Sequence, residues 1–334
     1  MSDIEPIVIA GAGSVGCFVG GAIASVGREV HFLGRARILD QLRSHGLTVT
    51  DLDGLNAHLE PAHRHLSETP EILKTAKTIL VTTKSMATEE MGRLIDAHAP
   101  LSATVISLQN GVTNAERLRK AAPRHTVLAG MVPYNVVQLG DGKFHRGTSG
   151  VIMVEKDQHG LASDLNSSAL SVVASEDMQG VLWGKLLINL NNALNALSGI
   201  PLRDQVNTAA WRRLLADMMD EALAAMRIAG IEPVAVAPTP PKLLPSILRV
   251  PNFAFRLLSS RMPKIDPKAR SSMWEDLEQG RPTEIDELQG AVVRLAEGVG
   301  RSAPINARVA ALIKEAEGRR LGSPMLKPAA VRQF

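Results

Sequence analysis

The residues that most constrain the fold of this chain lie at positions 7–16 and read IVIAGAGSVG. A short apolar segment typical of a buried strand leads directly into Gly11, Gly13 and Gly16, and small apolar residues that favour a helix follow. In a dinucleotide-binding turn these glycines have separate tasks, namely the tight turn, the approach of the backbone to the pyrophosphate, and close helix–strand packing. The alternative is a glycine turn that binds nothing. We expect the phosphates of a dinucleotide to bind at Gly11, Ala12, Gly13, Ser14, Val15 and Gly16.

The residues after the second predicted strand, Glu29–Leu33, indicate which dinucleotide binds. An NAD enzyme usually has an acid there for the ribose 2′-hydroxyl, whereas this chain has Arg35 and Arg37 and no acid before Asp40. Because a guanidinium binds a 2′-phosphate and an acid repels it, the pattern favours NADP, with Arg35 the first candidate and Arg37 the second. Two arginines on a solvated loop are the alternative. FAD is less favoured, because no separate FAD-covering region is evident.

Further strands predict an α/β, doubly wound Rossmann-type domain over residues 1–176. They are a hairpin at 48–60 and single strands at 78–83, 104–109, 126–131 and 150–155. Lys84 and Asn110 follow two of these strands, on the side where such sheets bind ligands. Turn chemistry alone also explains Asn110 before Gly111.

From residue 177 to residue 334 the pattern is helical, with helices expected at 179–198, 208–229, 271–279, 283–298 and 305–317. A chain of 334 residues is long enough for two domains. A strand-rich first half and a helical second half are typical of a cofactor domain followed by a substrate domain.

Residues 181–199, VLWGKLLINLNNALNALSG, combine leucines with one lysine and four asparagines and contain no carboxylate. At helical spacing Lys185, Asn189 and Asn192 share one arc. One interpretation is a surface helix with a mixed polar stripe. The other is a helix that presents amides and an ammonium to a polar ligand.

Few other residues are candidates for catalysis or metal binding. All nine histidines lie at or before His159, so Lys185 is the group that remains for acid catalysis in the helical half. His63 and His65 are expected on a solvated loop, and we expect no metal site. Glu284 lies in GRPTEIDELQG, where Thr283 and Asp286 resemble a capping box, so Glu284 is either a helix-start acid or a functional residue.

Composition excludes several classes of protein. The net charge of +3 is small, cationic residues are dispersed and only 3% of residues are aromatic, so we expect no nucleic-acid partner. The single cysteine, Cys17, fits a reducing compartment, and we expect a cytoplasmic protein. The polar residues of 181–199 argue against a membrane span.

Several spaced blocks of the sequence resemble the ketopantoate reductase (2-dehydropantoate 2-reductase) family. They are GAGSVG, TTKS, QNG, LWGKLLINLNNALNAL, RSSMWEDLEQGRPTEID and GRSAPINARV, and they extend over nearly the whole chain. The resemblance implies a Rossmann domain followed by an all-helical domain of the 6-phosphogluconate dehydrogenase C-terminal type, with the active site in the cleft between them. It further implies NADPH-dependent reduction of ketopantoate to (R)-pantoate, in pantothenate and coenzyme A biosynthesis.

The resemblance also implies roles for individual residues. It makes Lys185 the general acid, Asn189 and Ser272 substrate-binding residues, and Glu284 an acceptor for a substrate hydroxyl. Lys84 and Asn110 match the family's lysine and asparagine after the Rossmann strands, and Arg35 matches its 2′-phosphate arginine.

The chain departs from the family at two places. Ala193 stands where many members have a second asparagine, for which the neighbouring Asn192 is a candidate substitute, and residues 233–270 form an unusually long, proline-rich segment. A lid, a homodimer contact and a surface excursion remain open for that segment. Two alternatives to the implied reaction also remain, namely reduction of another small 2-oxo or 3-oxo acid and a non-catalytic NADP-binding regulator.

Overall fold

A computed structural model describes residues 6–61, 65–259 and 269–333 of the chain. The chain packs as two compact units, Met1–Met178 and Gln179–Phe334. The predicted fold class, an α/β Rossmann-type domain followed by a helical domain, is confirmed.

The strands of the first unit belong to two sheets. In chain order they are β1 (Ile7–Ala10), β2 (Val30–Leu33), β3 (Leu47–Thr50), β4 (Asn56–Leu59), β5 (Leu66–Ser67), β6 (Thr78–Val81), β7 (Thr104–Ser107), β8 (Thr126–Met131), β9 (Val136–Gly140), β10 (Lys143–Arg146), β11 (Ile152–Glu155) and β12 (Val172–Ser175). The helices are α1 (Ser14–Ser25), α2 (Ala36–His45), α3 (Thr88–His98), α4 (Asn114–Ala121) and α5 (Leu161–Leu165).

The larger sheet has eight strands in the order β12-β11-β8-β7-β6-β1-β2-β5. Neighbouring strands are parallel except β8 and β11. The central strands are apolar on both faces, because Ile9 packs into the core that contains Phe18 of α1 whereas Val8 packs into a second core on the opposite face. Ala10 pairs with both Leu33 and Val81, so these strands end level at one edge of the sheet.

The smaller sheet has the order β4-β3-β10-β9. The predicted hairpin is present, with β3 and β4 antiparallel and Thr48 opposite His58. Strands β9 and β10 were not predicted. They are short, and their pairing with each other and with β3 is what makes them strands.

The second unit is helical in its described part. After α6 (Met178–Asn189) come α7 (Asn191–Ser198), α8 (Leu202–Asn207), α9 (Ala209–Ile228), α10 (Leu244–Arg249), α11 (Asn252–Ser259), α12 (Ser272–Glu278), α13 (Gln289–Gly298), α14 (Pro304–Arg319) and α15 (Pro328–Val331). No helix within the described ranges has both the length and the hydropathy needed to cross a membrane.

Candidate active site

The glycine turn between β1 and α1 has the geometry that a dinucleotide phosphate requires. Gly11 has a φ of +119°, and a Cβ there would lie 2.7 Å from the Thr83 backbone nitrogen. A Cβ on Gly16 would lie 2.3 Å from the Gly11 carbonyl oxygen, so Gly16 permits the close helix–strand packing. A Cβ on Gly13 would meet nothing within 4 Å, so the backbone there is open to a ligand. The three positions therefore differ as the fingerprint demands.

Helix α1 begins directly after this turn, at Ser14, with Gly13 as its N-cap. The first turn contains no acidic residue, and its backbone N–H groups have no intrahelical partners. Ala12 is buried, and its backbone nitrogen donates a 2.9 Å hydrogen bond to the Leu33 carbonyl, which fixes the turn against β2. Such a helix end binds an anion through its N–H groups and its dipole.

Arg35 lies immediately after β2, at the same edge of the sheet as the glycine turn. It is the N-cap residue of α2, and both it and Arg37 are exposed. The first acid that follows, Asp40, forms an ion pair with Arg43 at 2.7 Å. The residues after β2 therefore offer guanidinium groups to a ribose, and the one nearby carboxylate is already bound by another arginine.

Lys84 and Asn110 lie after β6 and β7, whose last residues, Val81 and Ser107, pair with each other. Both Lys84 and Asn110 are exposed. Their loops leave the sheet at the edge where the glycine turn lies. The positions expected from the sequence are therefore observed, while binding by these side chains stays a prediction.

Buried polar side chains that the sequence reasoning missed hold these two loops together. Gln109 Nε2 donates to Thr88 Oγ1 at 2.8 Å and to the Thr83 carbonyl at 3.1 Å. Asn114 Nδ2 donates to Ser85 Oγ at 2.9 Å. Polar residues this deeply buried need hydrogen-bond partners. The sequence shows the polar residues themselves, in the motifs TTKS and QNGVTN, but which of them pair is decided by the fold.

In the second unit, Lys185 and Asn189 lie one turn apart on α6, and Asn192 follows on α7. No residue from 180 to 199 is exposed, so the interpretation as a surface helix with a polar stripe is wrong. The expected single helix over 179–198 is interrupted at Leu190, which separates α6 from α7.

Lys185 is partly buried, and desolvation lowers the pKa of its ammonium group to about 8. The preceding Gly184 permits close packing against the following chain, because a Cβ there would lie 1.9 Å from the Val234 carbonyl oxygen. The Val234 nitrogen also donates a 2.9 Å hydrogen bond to the Gly180 carbonyl. The start of the proline-rich segment therefore covers the part of α6 next to Lys185.

Three asparagines of this region differ in their hydrogen bonding. Asn195 is fully buried, and its amide group donates to the Gln205 side chain at 3.0 Å and accepts from the Ser271 nitrogen at 2.8 Å. Asn191 accepts a 3.0 Å hydrogen bond from Gln205 Nε2. By contrast, Asn189 is 8% exposed as a residue, and its amide group reaches solvent without a hydrogen bond to another described residue. Because this amide is open to solvent on an otherwise buried residue, Asn189 is the candidate for contact with a ligand.

Ser272 is the exposed first residue of α12, and its neighbour Ser271 is the N-cap. The Ser271 hydroxyl accepts from the Trp274 nitrogen at 3.2 Å and donates to the Asn192 carbonyl at 3.0 Å. The second serine of the motif RSSMW is therefore held next to the start of α7 by the capping bonds of the first.

The expected capping box at Thr283 is wrong. Thr283 Oγ1 accepts from the Ile285 nitrogen at 3.2 Å, in a tight turn, and the residues that follow form a 3₁₀ helix, Ile285–Glu287, before α13 begins at Gln289. The Thr283 nitrogen donates to Glu317 Oε1 at 2.6 Å, which fixes the turn to α14. Glu284 is partly buried and is the N-cap of this 3₁₀ helix, so it stands at the start of a 3₁₀ helix rather than of an α-helix.

Two long-range hydrogen bonds bring the candidate segments of this unit together. Gln289 Nε2 donates to the Leu190 carbonyl at 2.9 Å, and the Ser271 hydroxyl donates to the Asn192 carbonyl at 3.0 Å. Hydrogen bonds therefore attach both the segment that follows Glu284 and the helix that begins at Ser272 to the junction of α6 and α7. The arrangement suits a polar organic acid, with one ammonium and several neutral hydrogen-bonding groups.

The described part of the proline-rich segment contains the short helices α10 and α11, in agreement with the prediction that it is not one continuous helix. Arg212 of α9 is 2% exposed and donates to the carbonyls of Leu248 and Val250, each at 3.1 Å. Phe253 of α11 is 78% exposed. Residues 260–268 and His63 lie outside the described residues.

His65 lies just before β5 and is partly buried, so the expected solvated loop is wrong for this residue. Its ring stacks on His31 of β2, with ring centroids 5.0 Å apart and an angle of 31° between the planes.

Comparison with known proteins shows that the chain is similar to ketopantoate reductases. A family model described as ketopantoate reductase PanE/ApbA matches residues 7–158, and the model of its C-terminal domain matches residues 177–317. The 2-dehydropantoate 2-reductase of Halobacterium salinarum is 26% identical over 320 residues, which cover 93% of this chain and 98% of that protein. The corresponding enzyme of Archaeoglobus fulgidus is 27% identical over 325 residues, 94% and 98% of the two chains.

Solved structures show the same architecture. A PanE/ApbA family ketopantoate reductase from Ralstonia eutropha superposes with a TM-score of 0.80 at 29% identity, over 94% of this chain and 99% of that chain. D-mandelate dehydrogenase, solved with NADH and anilino(oxo)acetate, has a TM-score of 0.77 at 22% identity, over 94% and 99% of the two chains.

Proposed function

The chain belongs to the ketopantoate reductase family, and from that premise we propose that it reduces ketopantoate to (R)-pantoate with NADPH, a step of pantothenate and coenzyme A biosynthesis. The observation that carries the proposal is the pair Lys185 and Asn189. A lysine with a pKa of about 8 lies one helical turn from an amide that is open to solvent and forms no hydrogen bond to another described residue.

The glycine turn fits a dinucleotide. Gly13 leaves room for a pyrophosphate, and the first turn of α1 supplies N–H groups without a competing acid. Arg35 supports NADPH over NADH, because it lies at the same sheet edge and the first acid after β2, Asp40, is paired with Arg43. Lys84 and Asn110 contribute further polar groups at that edge. When bound, NADPH supplies the hydride that reduces the carbonyl carbon of the substrate.

Lys185 supplies the proton. As the carbonyl oxygen gains electron density it becomes an alkoxide, which the ammonium stabilises and then protonates to give the hydroxyl of the product. A pKa of about 8 suits this task, because the group is mostly protonated at pH 7 and is still acidic enough to donate. General acid assistance of this kind is typically worth about 10²- to 10⁴-fold in rate.

Three neutral side chains and one carboxylate orient the substrate. Asn189 and Asn192 donate to its oxygens, Ser272 binds the carboxylate, and Glu284 accepts a hydrogen bond from the hydroxyl group. We propose that Asn110 contacts both the cofactor and the substrate. Additional carboxylates near Lys185 would repel a 2-oxo acid, which accounts for the amide-rich composition of α6 and α7.

A second candidate is the reduction of a different small 2-oxo or 3-oxo acid by the same residues. Two observations favour it, namely Ala193 in place of the family's second asparagine and the packing of the proline-rich segment next to Lys185. A non-catalytic NADP-binding regulator is a third candidate, and the low pKa of Lys185 argues against it.

A substrate panel tests the proposal. NADPH oxidation is followed by absorbance with ketopantoate, pyruvate, 2-oxoisovalerate, oxaloacetate, acetoacetate and the 2-oxo acid that corresponds to mandelate. We expect the highest kcat/KM with ketopantoate. Turnover of another acid with ketopantoate ignored would support the second candidate, and tight NADPH binding without turnover of any acid would support the third.

A further inference from the structure

A cluster of two imidazoles and one carboxylate lies at the opposite end of β2 from Arg35. Glu29 and His31 are two residues apart and therefore share one face of the strand. Since β2 and β5 are parallel, with Phe32 opposite Leu66, the register brings His31 level with His65, which directly precedes β5. One nitrogen or oxygen atom from each of the three side chains lies within 4.8 Å of the others.

The second partner of His31 is the hydroxyl group of Thr75. The Thr75 hydroxyl donates its only hydrogen to the Ile72 carbonyl at 2.8 Å. With that hydrogen on the Ile72 carbonyl, Thr75 Oγ1, which lies 3.0 Å from His31 Nδ1, accepts a hydrogen bond from Nδ1–H. In a neutral imidazole the other nitrogen, Nε2, then has a lone pair and no hydrogen.

That lone pair faces a carboxylate. His31 Nε2 lies 3.0 Å from Glu29 Oε1. Two acceptors at this distance repel each other unless a cation lies with them. The cation is either a proton on His31 or a metal ion that binds both groups, and a metal ion also takes the adjacent imidazole of His65 as a third ligand.

We propose that Glu29, His31 and His65 bind a divalent transition-metal ion, with Zn²⁺ the ion best suited, and that solvent completes the coordination. Two imidazoles and one carboxylate are a donor set that zinc takes in proteins, and imidazole also suits Ni²⁺ and Cu²⁺. The hydrogen bond from Nδ1 to Thr75 is the outer-shell contact that orients a histidine ligand.

The geometry requires only small adjustments. Zinc bonds of about 2.0–2.2 Å at tetrahedral angles place ligand atoms roughly 3.3 Å apart, so the longest separation closes by less than about 2 Å. The side chain of Glu29 is 42% exposed and can rotate, whereas His31, at 8% exposure, is fixed by Thr75. The ion would tie β2 to β5. It would lie roughly 13–20 Å from Arg35 along the strand direction, so its role is structural rather than catalytic.

The test uses the full-length protein after treatment with EDTA and removal of the chelator. Zn²⁺ alone is titrated calorimetrically and in competition with a chromophoric chelator, and Co²⁺ is added separately to read the coordination from its visible spectrum. We expect one Zn²⁺ per chain, a tetrahedral type of Co²⁺ spectrum, and a rise in Tm with Zn²⁺. The substitutions His65→Asn and Glu29→Gln should each weaken Zn²⁺ binding at least 10-fold.

His58 offers a matched control. His58 Nδ1 lies 2.9 Å from Thr48 Oγ1 and His58 Nε2 lies 3.6 Å from Glu60 Oε1, so it has the same kinds of partner but no second imidazole in the cluster. His58→Asn should leave Zn²⁺ binding unchanged. Binding that is absent in the wild type, or equal in wild type and His65→Asn, would overturn the proposal and leave a protonated His31 paired with Glu29.

Discussion

The side chain of Gln289 donates a 2.9 Å hydrogen bond to the carbonyl of Leu190, the residue that separates α6 from α7. Gln289 is fully buried and is the first residue of α13. The bond therefore joins the segment that carries Glu284 to the helix junction that follows Asn189.

Replacement of Gln289 tests whether this junction positions the substrate groups. Gln289→Met removes the donor and leaves the Leu190 carbonyl without it, at a cost of about 1–2 kcal/mol in unfolding free energy. We expect KM for the oxo acid to rise several-fold while the Kd of NADPH stays constant. Chemical denaturation and steady-state kinetics measure the two effects, and unchanged kcat and KM would remove the junction from substrate binding.

Asn189 and Asn195 provide a direct comparison between a functional and a structural asparagine. Asn195→Ala breaks the bonds to Gln205 and Ser271 and should lower the unfolding free energy by about 2–3 kcal/mol. Asn189→Ala removes an amide without a partner among the described residues, so stability should change little while kcat/KM falls about 10-fold or more. A loss of stability in Asn189→Ala equal to that in Asn195→Ala would assign Asn189 a structural role.

Arg35→Ala tests the choice of cofactor. Loss of a charge-assisted hydrogen bond to a 2′-phosphate should weaken NADPH about 10- to 100-fold and leave NADH nearly unaffected. Arg43→Ala is the matched control, because Arg43 lies on the adjacent α2 and is paired with Asp40. Fluorescence titrations with both cofactors give the Kd values. Equal losses for NADPH and NADH would show that Arg35 does not contact the 2′-phosphate.

Burial of the Lys185 ammonium has a predicted effect on stability. Its folded-state pKa of about 8 lies below that of an unfolded lysine, so the folded protein carries a desolvated charge at pH 7. Lys185→Met should therefore raise the unfolding free energy at pH 7 by about 1–2 kcal/mol. Above pH 8 the folded wild type loses that proton, so the gain should shrink as the pH approaches 10. Urea denaturation at pH 7 and pH 9.5 measures it, and a gain that grows with pH would contradict the sign.

Local patterns were sufficient to predict much of this protein. The tasks of Gly11, Gly13 and Gly16 follow from a strand, a turn and a helix that are contiguous in sequence. The predicted strands of the main sheet and the helical second unit were likewise readable from apolar periodicity. These features depend on neighbours within a few residues, which a single sequence records.

The features that were missed depend on distant partners. The interruption at Leu190 involves Gln289, which lies 99 residues away, and the roles of Asn191 and Asn195 depend on Gln205. The capping box failed at Thr283 because Glu317 of α14 binds its backbone nitrogen. None of these contacts leaves a periodic signal in the sequence, since each needs only one side chain and a single partner group elsewhere in the chain.

The central claim, that Lys185 is the general acid of an NADPH-dependent oxo-acid reduction, is tested most directly by the pH dependence of turnover. The rate of NADPH oxidation with saturating ketopantoate is measured from pH 6 to pH 10 in the wild type and in Lys185→Ala. We predict that the wild-type rate falls as the pH rises through about 8, as the ammonium loses its proton. We also predict that the variant is about 10²- to 10⁴-fold slower, binds NADPH normally and lacks this inflection. A variant with the wild-type rate and pH profile would contradict the account.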